Sequence, residues 1–360
     1  MFGILKFLLK ILVLIVLSVV LILGGLVIHA SMTDYQPEVK EILVQEKPAN
    51  NPLNTNIDSP KTLSFLLWNM GYGGLGKESD FFYDGGKMVH PETKWVEKNM
   101  QGITQTLKQY SADFVLLQEV DKNAQRSSYN NQLESLKTAL PNHFQTFATN
   151  YLVDFIPIPF ENPLGGIHSG IATYSRFEAS ENIRFQFPGN YDWPQSVYML
   201  DRCFLFQRFN INNSDKQLIV INSHNSAYDK GGKLKKRQME YLKDILVTEY
   251  EKGNYVIAGA DWNQVPPDFD SYRFVKKGMI PYTSMKSPKY YPEAGWQWIY
   301  DGNTPTNRAL RKAYSKDSTF TTVIDYFLLS PNIKVKQIEG INLDFEYSDH
   351  QPVRLEIELM

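Results

Sequence analysis

Short apolar runs alternate with amphipathic stretches through most of the chain. Apolar residues recur at helical spacing around residues 95–107 and again over residues 234–250, which predicts two surface helices. The apolar runs predict buried strands at residues 63–68, 114–117, 171–174, 218–221, 255–258, 323–329 and 353–359. Strands that alternate with helices are typical of an α/β protein, and this pattern alone predicts a doubly wound parallel sheet.

The N-terminal region has a different pattern. Residues 11–28 form an uncharged run of 18 residues, just long enough to span a bilayer as a helix. Lys6 and Lys10 precede the run, while Asp34 and Glu38 follow it. The bias of basic residues toward the cytoplasm therefore predicts a cytoplasmic tail (1–10), a transmembrane signal-anchor helix (11–30) and an extracytoplasmic remainder at the cell membrane. The main alternative is a cleaved signal peptide, although residues 27–30 make a poor small-residue cleavage site.

The next segment, residues 31–60, reads as a linker. It contains four prolines and several asparagines, which disfavour regular structure and predict an extended tether. The remaining residues, 61–360, alternate short apolar runs with polar stretches, which predicts one globular domain.

Composition and charge restrict the class of protein. Of the 360 residues, 43% are hydrophobic, which is ample for a sizeable core. The formal net charge of −2 argues mildly against tight nonspecific binding of nucleic acid, but it does not exclude a nuclease. Cys203 is the single cysteine, so an intramolecular disulfide and a cysteine-based zinc site are both excluded.

Carboxylate, amide or imidazole groups stand at or beside the ends of six predicted strands. One such strand end is ordinary, but six indicate a scaffold edge that presents functional groups. The residues are Asn69, Glu119, His224, Asp261 with Asn263, Asp325, and Asp349 with His350.

This set suits the hydrolysis of a phosphate ester. Such a reaction requires a hard cation, and Glu119 and Asn69 offer the carboxylate and amide oxygens that a hard cation prefers. Asp261 and Asn263 are two residues apart, so they face the same side of an extended segment. His350 can act as a base if a carboxylate orients its other ring nitrogen.

The ordered motifs resemble the endonuclease/exonuclease/phosphatase superfamily over residues 62–360. They are Trp-Asn (68–69), Leu-Gln-Glu-Val (117–120), Asn-Ser-His (222–224), Gly-Ala-Asp-Trp-Asn (259–263), Ile-Asp-Tyr (324–326) and Ser-Asp-His-Gln-Pro-Val (348–353). The resemblance implies a deoxyribonuclease-I-like α/β (α+β) fold, a four-layer sandwich of two packed mixed β-sheets flanked by helices. Here an N-terminal transmembrane helix is added. Residues 61–360 then become the catalytic domain.

The resemblance also implies residue roles and a cofactor. His350 paired with Asp325 resembles the catalytic dyad, and Glu119 resembles the main metal ligand. The catalytic set is His350, Asp325, His224, Asp261 and Asn263. The metal-binding set is Glu119, Asn69 and Asp349, and the implied cofactor is Mg²⁺, or alternatively Mn²⁺ or Ca²⁺.

Two positions indicate which branches of the superfamily the chain resembles more and which it resembles less. His224 is more similar to the deoxyribonuclease-I and sphingomyelinase branches than to the abasic-site endonucleases. Val265 stands where inositol polyphosphate 5-phosphatases carry an arginine, which argues against an inositol phosphate substrate. A glycine-rich run over residues 71–77 resembles a phosphate-binding P-loop, but Glu78 replaces the hydroxyl residue that this motif needs.

Three further residues are candidates for substrate binding: Arg202, Trp296 and Trp298. The alternative for the two tryptophans, and for the apolar segment 155–160, is simple packing. The predicted substrate is a phosphodiester, with nucleic acid slightly favoured over a phospholipid or sphingomyelin. A non-catalytic, membrane-tethered binding module is the alternative from another class. The membrane is the expected partner through the N-terminal helix, and no obligate protein partner is predicted.

Overall fold

The computed structural model describes residues 2–50, 55–58, 62–282 and 285–360. Within those ranges there are four α-helices: α1 (Phe2–Met32), α2 (Thr93–Tyr110), α3 (Gln132–Ala139) and α4 (Lys233–Glu251). The strands, in chain order, are β1 (Lys40–Ile42), β2 (Thr62–Asn69), β3 (Phe114–Ala124), β4 (Phe144–Ile156), β5 (Gly165–Ser175), β6 (Glu181–Gln186), β7 (Cys203–Asn210), β8 (Gln217–His224), β9 (Tyr255–Asp261), β10 (Gln297–Ile299), β11 (Asn307–Arg308), β12 (Thr321–Thr322), β13 (Asp325–Leu329), β14 (Ile333–Gly340) and β15 (Val353–Leu359).

Most of these strands build two sheets. The first sheet has the order β1-β6-β7-β8-β9-β13-β10, and the second has the order β14-β15-β2-β3-β5-β4. In each sheet one neighbouring pair is parallel, β8 with β9 and β2 with β3, while the other described pairs are antiparallel. β11 and β12 form a separate short ribbon.

The two sheets pack face to face, and helices cover their outer faces. Along β2, Phe65 and Leu67 belong to the core between the sheets, together with residues of β8, β9 and β13. The intervening Leu66 and Trp68 belong to a second apolar cluster with residues of α2 and α3. α4 packs on the outer face of the first sheet. Successive side chains of a strand point to opposite faces, so a strand buried on both sides reads as a continuous apolar run.

The predicted four-layer sandwich of mixed sheets is confirmed, and the doubly wound parallel sheet is wrong. Each predicted strand corresponds to an observed one, although in the run 323–329 the strand β13 begins only at Asp325. Apolar runs report burial on both faces, but they do not report strand direction. Direction depends on the connections between strands, and most of the connections here are too short for a parallel crossover.

α1 is long and apolar enough to cross a membrane. Its apolar side chains are exposed along most of its length, so the protein itself does not bury them. Near its C-terminal end, Ala30 is buried against the globular domain. The helix is therefore compatible with a membrane anchor.

The prediction that residues 31–60 lack regular structure is wrong in part. β1 pairs with β6 as the edge strand of the first sheet, and Glu46 bridges Gln145 of β4. Ile57 is fully buried in the core between the sheets. Residues 51–54 and 59–61 lie outside the described residues. Backbone pairing with an exposed sheet edge organises this segment despite its prolines, because an edge strand offers free N–H and C=O groups.

Candidate active site

Three predicted site residues lie in one row across the first sheet. The register pairs His224 of β8 with Asp261 of β9, and Asp325 of β13 with the same Asp261. Residues directly opposite on neighbouring strands have adjacent side chains. The sheet pairing alone therefore brings an imidazole and two carboxylates together.

The second sheet supplies two residues from neighbouring strands. Asn69 ends β2, and Glu119 lies in β3 where the pairing with β5 shifts register between Leu117 and Val120. Glu119 has a φ of 53°, in the left-handed region. A bulge of this kind redirects a side chain, and a strained non-glycine backbone persists only where its surroundings hold it. The strain here turns the Glu119 carboxylate toward the residues of the first sheet.

His350 and Asp325 form a buried pair. The Nδ1 atom of His350 lies 2.8 Å from Oδ2 of Asp325. The backbone of His350 is fixed on both sides, since Trp68 Nε1 donates to its carbonyl and its own N–H donates to Ser348 Oγ. Thr306 Oγ1 accepts from the backbone N–H of Asp325 at 3.1 Å. The imidazole therefore points its Nε2 atom into the cleft in a fixed orientation.

Asp261 lies at the centre of the cluster. Its Oδ2 atom accepts from Asn69 Nδ2 at 3.0 Å and lies 3.3 Å from His224 Nε2 and 3.9 Å from His350 Nε2. The backbone N–H of Asn263 donates to the other oxygen, Oδ1, at 3.0 Å. Asn263 also has a positive φ of 49°, and this left-handed backbone conformation turns the chain after β9 back toward Asp261.

Asn69 lies between two of the predicted site carboxylates. Its amide Nδ2 donates to Glu119 Oε1 at 3.1 Å as well as to Asp261, while its Oδ1 accepts from the backbone N–H of Gly71. The amide thus connects the two carboxylates and holds them in place. Its part in metal binding stays a prediction.

Burial and mutual charge shift the pKa values of the cluster. Burial opposes the charged form of His350, but the carboxylates of Asp325, Asp349 and Asp261 outweigh it and raise the pKa of His350 well above its usual range. Burial, with the charges of Arg202 and His350, lowers the pKa of His224 well below its usual range. The two imidazoles therefore differ: His350 is the charged one at neutral pH, and His224 is neutral.

The pKa values of two buried carboxylates are raised above that of an exposed acid. Burial, followed by the charge of Asp325, raises the pKa of Asp261 to about 6. Burial raises the pKa of Asp349 to about 7, with Glu119 adding to the effect and His350 opposing it. A carboxylate whose pKa lies near neutrality can accept a proton during a reaction.

The donor set fits a hard divalent cation. Ligand atoms of Asp261, Asp325 and His350 lie within 4.8 Å of one another, which is one arrangement that can hold an ion. The bond between His350 Nδ1 and Asp325 Oδ2, at 2.8 Å, already uses one ligand atom of each of these two residues. The charge of Glu119 adds to the raised pKa of Asp349, and both residues line the cleft. Their oxygens are therefore the better candidates to hold such a cation.

The cluster opens into a cleft of about 990 Å³. Of the eight predicted catalytic and metal-binding residues, six line its wall, while Asn69 and Asp325 lie buried directly behind them. Arg202, a predicted substrate-binding residue, also lines the cleft, and its Nη1 atom is shielded from solvent without a partner among the described residues. An unpaired guanidinium donor beside a cleft is well suited to a phosphoryl oxygen.

The two predicted tryptophans lie elsewhere. Trp296 is buried and packs edge-on against Tyr250 of α4. Trp298 stacks on Tyr291 and donates from Nε1 to the carbonyl of Pro288. Both belong to the apolar cluster on the outer face of the first sheet, and neither lines the cleft. Their apolar surface packs against α4 and the adjacent loop, so the structure does not bring them together with the other predicted site residues.

Several cleft residues were not predicted. Asn307 Nδ2 lies 2.9 Å from His350 Nε2, and the Tyr282 hydroxyl donates a hydrogen bond to Asn307 Oδ1. Arg126 forms a bidentate ion pair with Asp121 and stacks on the ring of Tyr72. These residues carry no spacing signal in the sequence, and Asn307 begins only a two-residue strand, β11. Only the fold brings them to the cleft.

The sequence matches the model of the Endonuclease/Exonuclease/phosphatase family over residues 66–350. None of the curated proteins compared with the chain matches it significantly.

Solved structures of low identity share the fold. An endonuclease/exonuclease/phosphatase from Beutenbergia cavernae DSM 12333 is 16% identical, with a TM-score of 0.55 over 83% of this chain and 72% of that one. The human Nocturnin catalytic domain with bound sulfate is 16% identical, with a TM-score of 0.52 over 85% of this chain and 96% of that one. ANGEL2, a 2',3'-cyclic phosphatase in complex with adenosine-2',3'-vanadate, is 14% identical, with a TM-score of 0.54 over 88% of this chain and 98% of that one. The family match over most of the chain, on a two-sheet sandwich with this cleft, shows that the protein belongs to the endonuclease/exonuclease/phosphatase family, whose members hydrolyse phosphate esters.

Proposed function

We propose that this protein hydrolyses phosphodiesters with the help of a divalent cation, on the extracytoplasmic side of a membrane that α1 crosses. The observation that carries the proposal is the convergence of Glu119, His224, Asp261 and His350 on one cleft, with Asp325 bonded to His350 behind them. The solved relatives support this chemistry, since one binds sulfate and another binds a vanadate analogue of a cyclic phosphate ester.

Several residues of the cleft then have a part in the reaction. Water attacks phosphorus, a new P–O bond forms, and the bond to one ester oxygen breaks. Asp261 accepts the proton of the water, because its pKa is raised to about 6 and its Oδ2 faces the cleft between the two imidazoles. The proton ends on the departing alcohol, directly or by way of solvent.

The charge on the phosphoryl group is met by fixed donors. His350 and Arg202 line the cleft and can donate to a phosphoryl group bound there, and Asp325 keeps His350 charged and oriented. When His350 carries a proton on Nε2, the Asn307 amide turns its oxygen toward that atom, and its nitrogen then donates to the Tyr282 hydroxyl. A divalent cation such as Mg²⁺, held by Glu119 and Asp349, would neutralise phosphoryl oxygens when bound.

The placement outside the cytoplasm rests on the charges around α1. Lys6 and Lys10 lie at its N-terminal end, while Asp34 and Glu38 follow its C-terminal end. Basic residues favour the cytoplasmic side, so the domain that follows α1 faces away from it.

A direct test uses the full-length protein in lipid nanodiscs with Mg²⁺. It is assayed against DNA, RNA, sphingomyelin, phosphatidylcholine and a small chromogenic phosphodiester. We expect turnover of at least one substrate, inhibition by a chelator, and loss of turnover in His350→Ala. His90→Ala, which changes a histidine outside the cleft, serves as the matched control. Turnover that survives chelation or the His350→Ala change would refute the proposed mechanism.

A further inference from the structure

The C-terminal end of α1 packs directly on the globular domain. Tyr198 donates from its hydroxyl to the carbonyl of Leu26 at 3.2 Å, and Trp193 Nε1 donates to Ser31 Oγ at 3.1 Å. Both contacts fall at the end of the uncharged run 11–28. If α1 spans a bilayer, the hydrocarbon region ends near residue 28, and Trp193 and Tyr198 lie at the level of the membrane interface.

Large apolar side chains are exposed in the segments that make this contact or directly follow them in the chain. Phe155 and Ile158 are partly exposed, while Phe160 and Trp193 are 67% and 66% exposed. We call these four residues the apolar rim. β4, which ends at Ile156, contacts α1, as does the turn that contains Tyr198. Single exposed apolar residues are common, but several beside a membrane-spanning helix indicate a surface that contacts lipid.

The apolar rim is continuous with the wall of the catalytic cleft. Leu164 donates its backbone N–H to the carbonyl of Ile158 at 3.1 Å, and Leu164 lines the cleft. Tyr151 and Leu200 also line the cleft and pack with Tyr198 in one apolar cluster. Tyr151 further donates to the carbonyl of Tyr198 at 3.0 Å. One layer of side chains therefore separates the cleft from the residues that contact α1.

The charges beside the rim favour one kind of membrane substrate. Asp154, Glu161 and Asp192 stand next to rim residues in the sequence, and the segment 154–161 contains no lysine or arginine. Carboxylates at this edge repel a polyanion such as DNA or RNA, whose affinity depends on neutralised phosphates. A zwitterionic headgroup carries a cation that these carboxylates can attract.

We infer that the apolar rim enters the interface of the bilayer crossed by α1, so that the cleft takes phosphodiester lipids with zwitterionic headgroups from that bilayer. The substrate class rests on the proposed function, whereas the docking of the rim does not. Hydrolysis adds water across one P–O bond, and the products are an alcohol and a phosphate monoester, one of which keeps the lipid chains. Residues of the rim position the cleft and do not touch the reacting atoms.

The first experiment measures docking without activity. Phe160→Cys is spin-labelled in the full-length protein in phosphatidylcholine vesicles, and Cys203 does not compete because it is buried. Tyr290→Cys is the matched control, since Tyr290 is 75% exposed and lies outside the rim. We expect the label at residue 160 to collide with dissolved oxygen and to be shielded from a water-soluble nickel complex, and the label at residue 290 to show the reverse. Equal exposure of both labels to the nickel complex would overturn the docking.

The second experiment separates the substrate class from the proposed function. The double variant Phe160→Ser/Trp193→Ser and the control Tyr290→Ser are assayed on phosphatidylcholine or sphingomyelin vesicles and on a small soluble phosphodiester. We expect the double variant to lose about tenfold or more of its vesicle turnover, because burial of aromatic side chains drives interfacial binding. Its turnover of the soluble ester should be unchanged.

Other outcomes have distinct meanings. Turnover of DNA or RNA in preference to both lipids, or vesicle turnover that the double variant retains, would refute the lipid substrate class but leave the proposed hydrolysis standing. If the wild type hydrolyses none of these esters, the proposed function fails and the substrate class fails with it. The depth of the spin label still decides the docking in that case.

Discussion

The Nδ1 atom of His350 lies 2.8 Å from Oδ2 of Asp325, although 25 residues separate them in the chain. The side chains are 5% and 0% exposed, so their charges are little screened by water. This pair fixes the orientation of the imidazole and favours its charged form.

Replacing Asp325 with Asn should remove that charge and retain the shape. We expect Asp325→Asn to lower kcat by roughly 10²- to 10⁴-fold, the range typical of a lost acid–base partner. Asp317→Asn, which changes a carboxylate that is 90% exposed, should leave kcat unchanged. Steady-state kinetics on a small phosphodiester make the measurement, and equal rates for wild type and Asp325→Asn would contradict the role of the pair.

Glu119 should control the affinity for the divalent cation. Its carboxylate is held by Asn69 and faces the cleft beside Asp349. We expect Glu119→Gln to weaken Mn²⁺ binding about tenfold or more, as measured by electron paramagnetic resonance of free Mn²⁺. Glu134→Gln, an exposed carboxylate on α3, is the control. The same affinity in Glu119→Gln and in the wild type would place the cation elsewhere.

Arg202 should contribute to phosphate binding. Its Nη1 atom has no protein partner among the described residues, so a hydrogen bond to the substrate replaces none that the protein makes. A charge-assisted hydrogen bond contributes roughly 1.5–3 kcal/mol, so Arg202→Met should lower kcat/KM by about 10- to 150-fold. Arg202→Lys should recover part of the loss. Arg354→Met, at a guanidinium paired with Glu356, should have no effect on kcat/KM.

Ile57 should anchor the segment that precedes the domain. Its side chain is fully buried in the core between the sheets, and its backbone exchanges hydrogen bonds with Asn210 and Asn212. We expect Ile57→Ala to lower the free energy of unfolding by about 2–5 kcal/mol, whereas Val44→Ala, at an 85% exposed position, should be neutral. Chemical unfolding in detergent micelles tests this, and a neutral Ile57→Ala would show that the segment is a free linker.

Glu249 should make stability depend on pH. Burial alone would raise its pKa, but the hydrogen bonds and charge of Arg208, with Lys252, lower the pKa from 4.5 to about 2. The stabilisation is therefore complete above about pH 5 and is lost as the pH falls from 4.5 toward 2. Solvent screens part of this interaction, so the stabilisation at neutral pH is smaller than the ~3 kcal/mol to which the full shift corresponds.

The Glu249→Gln variant tests this linkage. Its deficit in the free energy of unfolding should be largest near pH 7 and should shrink steadily below pH 4.5. Glu251→Gln changes an exposed neighbour and should show no such pH dependence. A deficit in Glu249→Gln that stays constant down to pH 2 would mean that lost packing, rather than charge, explains it.

Most of the predicted catalytic and metal-binding residues converge on one cleft because each of their motifs lies at or beside a strand end. Glu119 follows an apolar run directly, and Asp261 and Asn263 follow another, so the sequence placed each group at an edge. Trp296 and Trp298 could not be judged in this way, because an aromatic residue in a loop packs or binds depending on its neighbours in space. Asn307, which contacts His350, carried no spacing signal at all.

The sequence alone determined that buried strands, an apolar N-terminal helix and a group of acids, amides and histidines occur in this chain. Those features depend on local patterns of hydrophobicity and residue type. Only the tertiary structure decided which strands are neighbours and which pairs are parallel, that Asp261 lies at the centre of the site between His224 and Asp325, and that β1 and Ile57 belong to the folded domain. The register of hydrogen bonds between strands sets these relationships, and it depends on residues far apart in the chain.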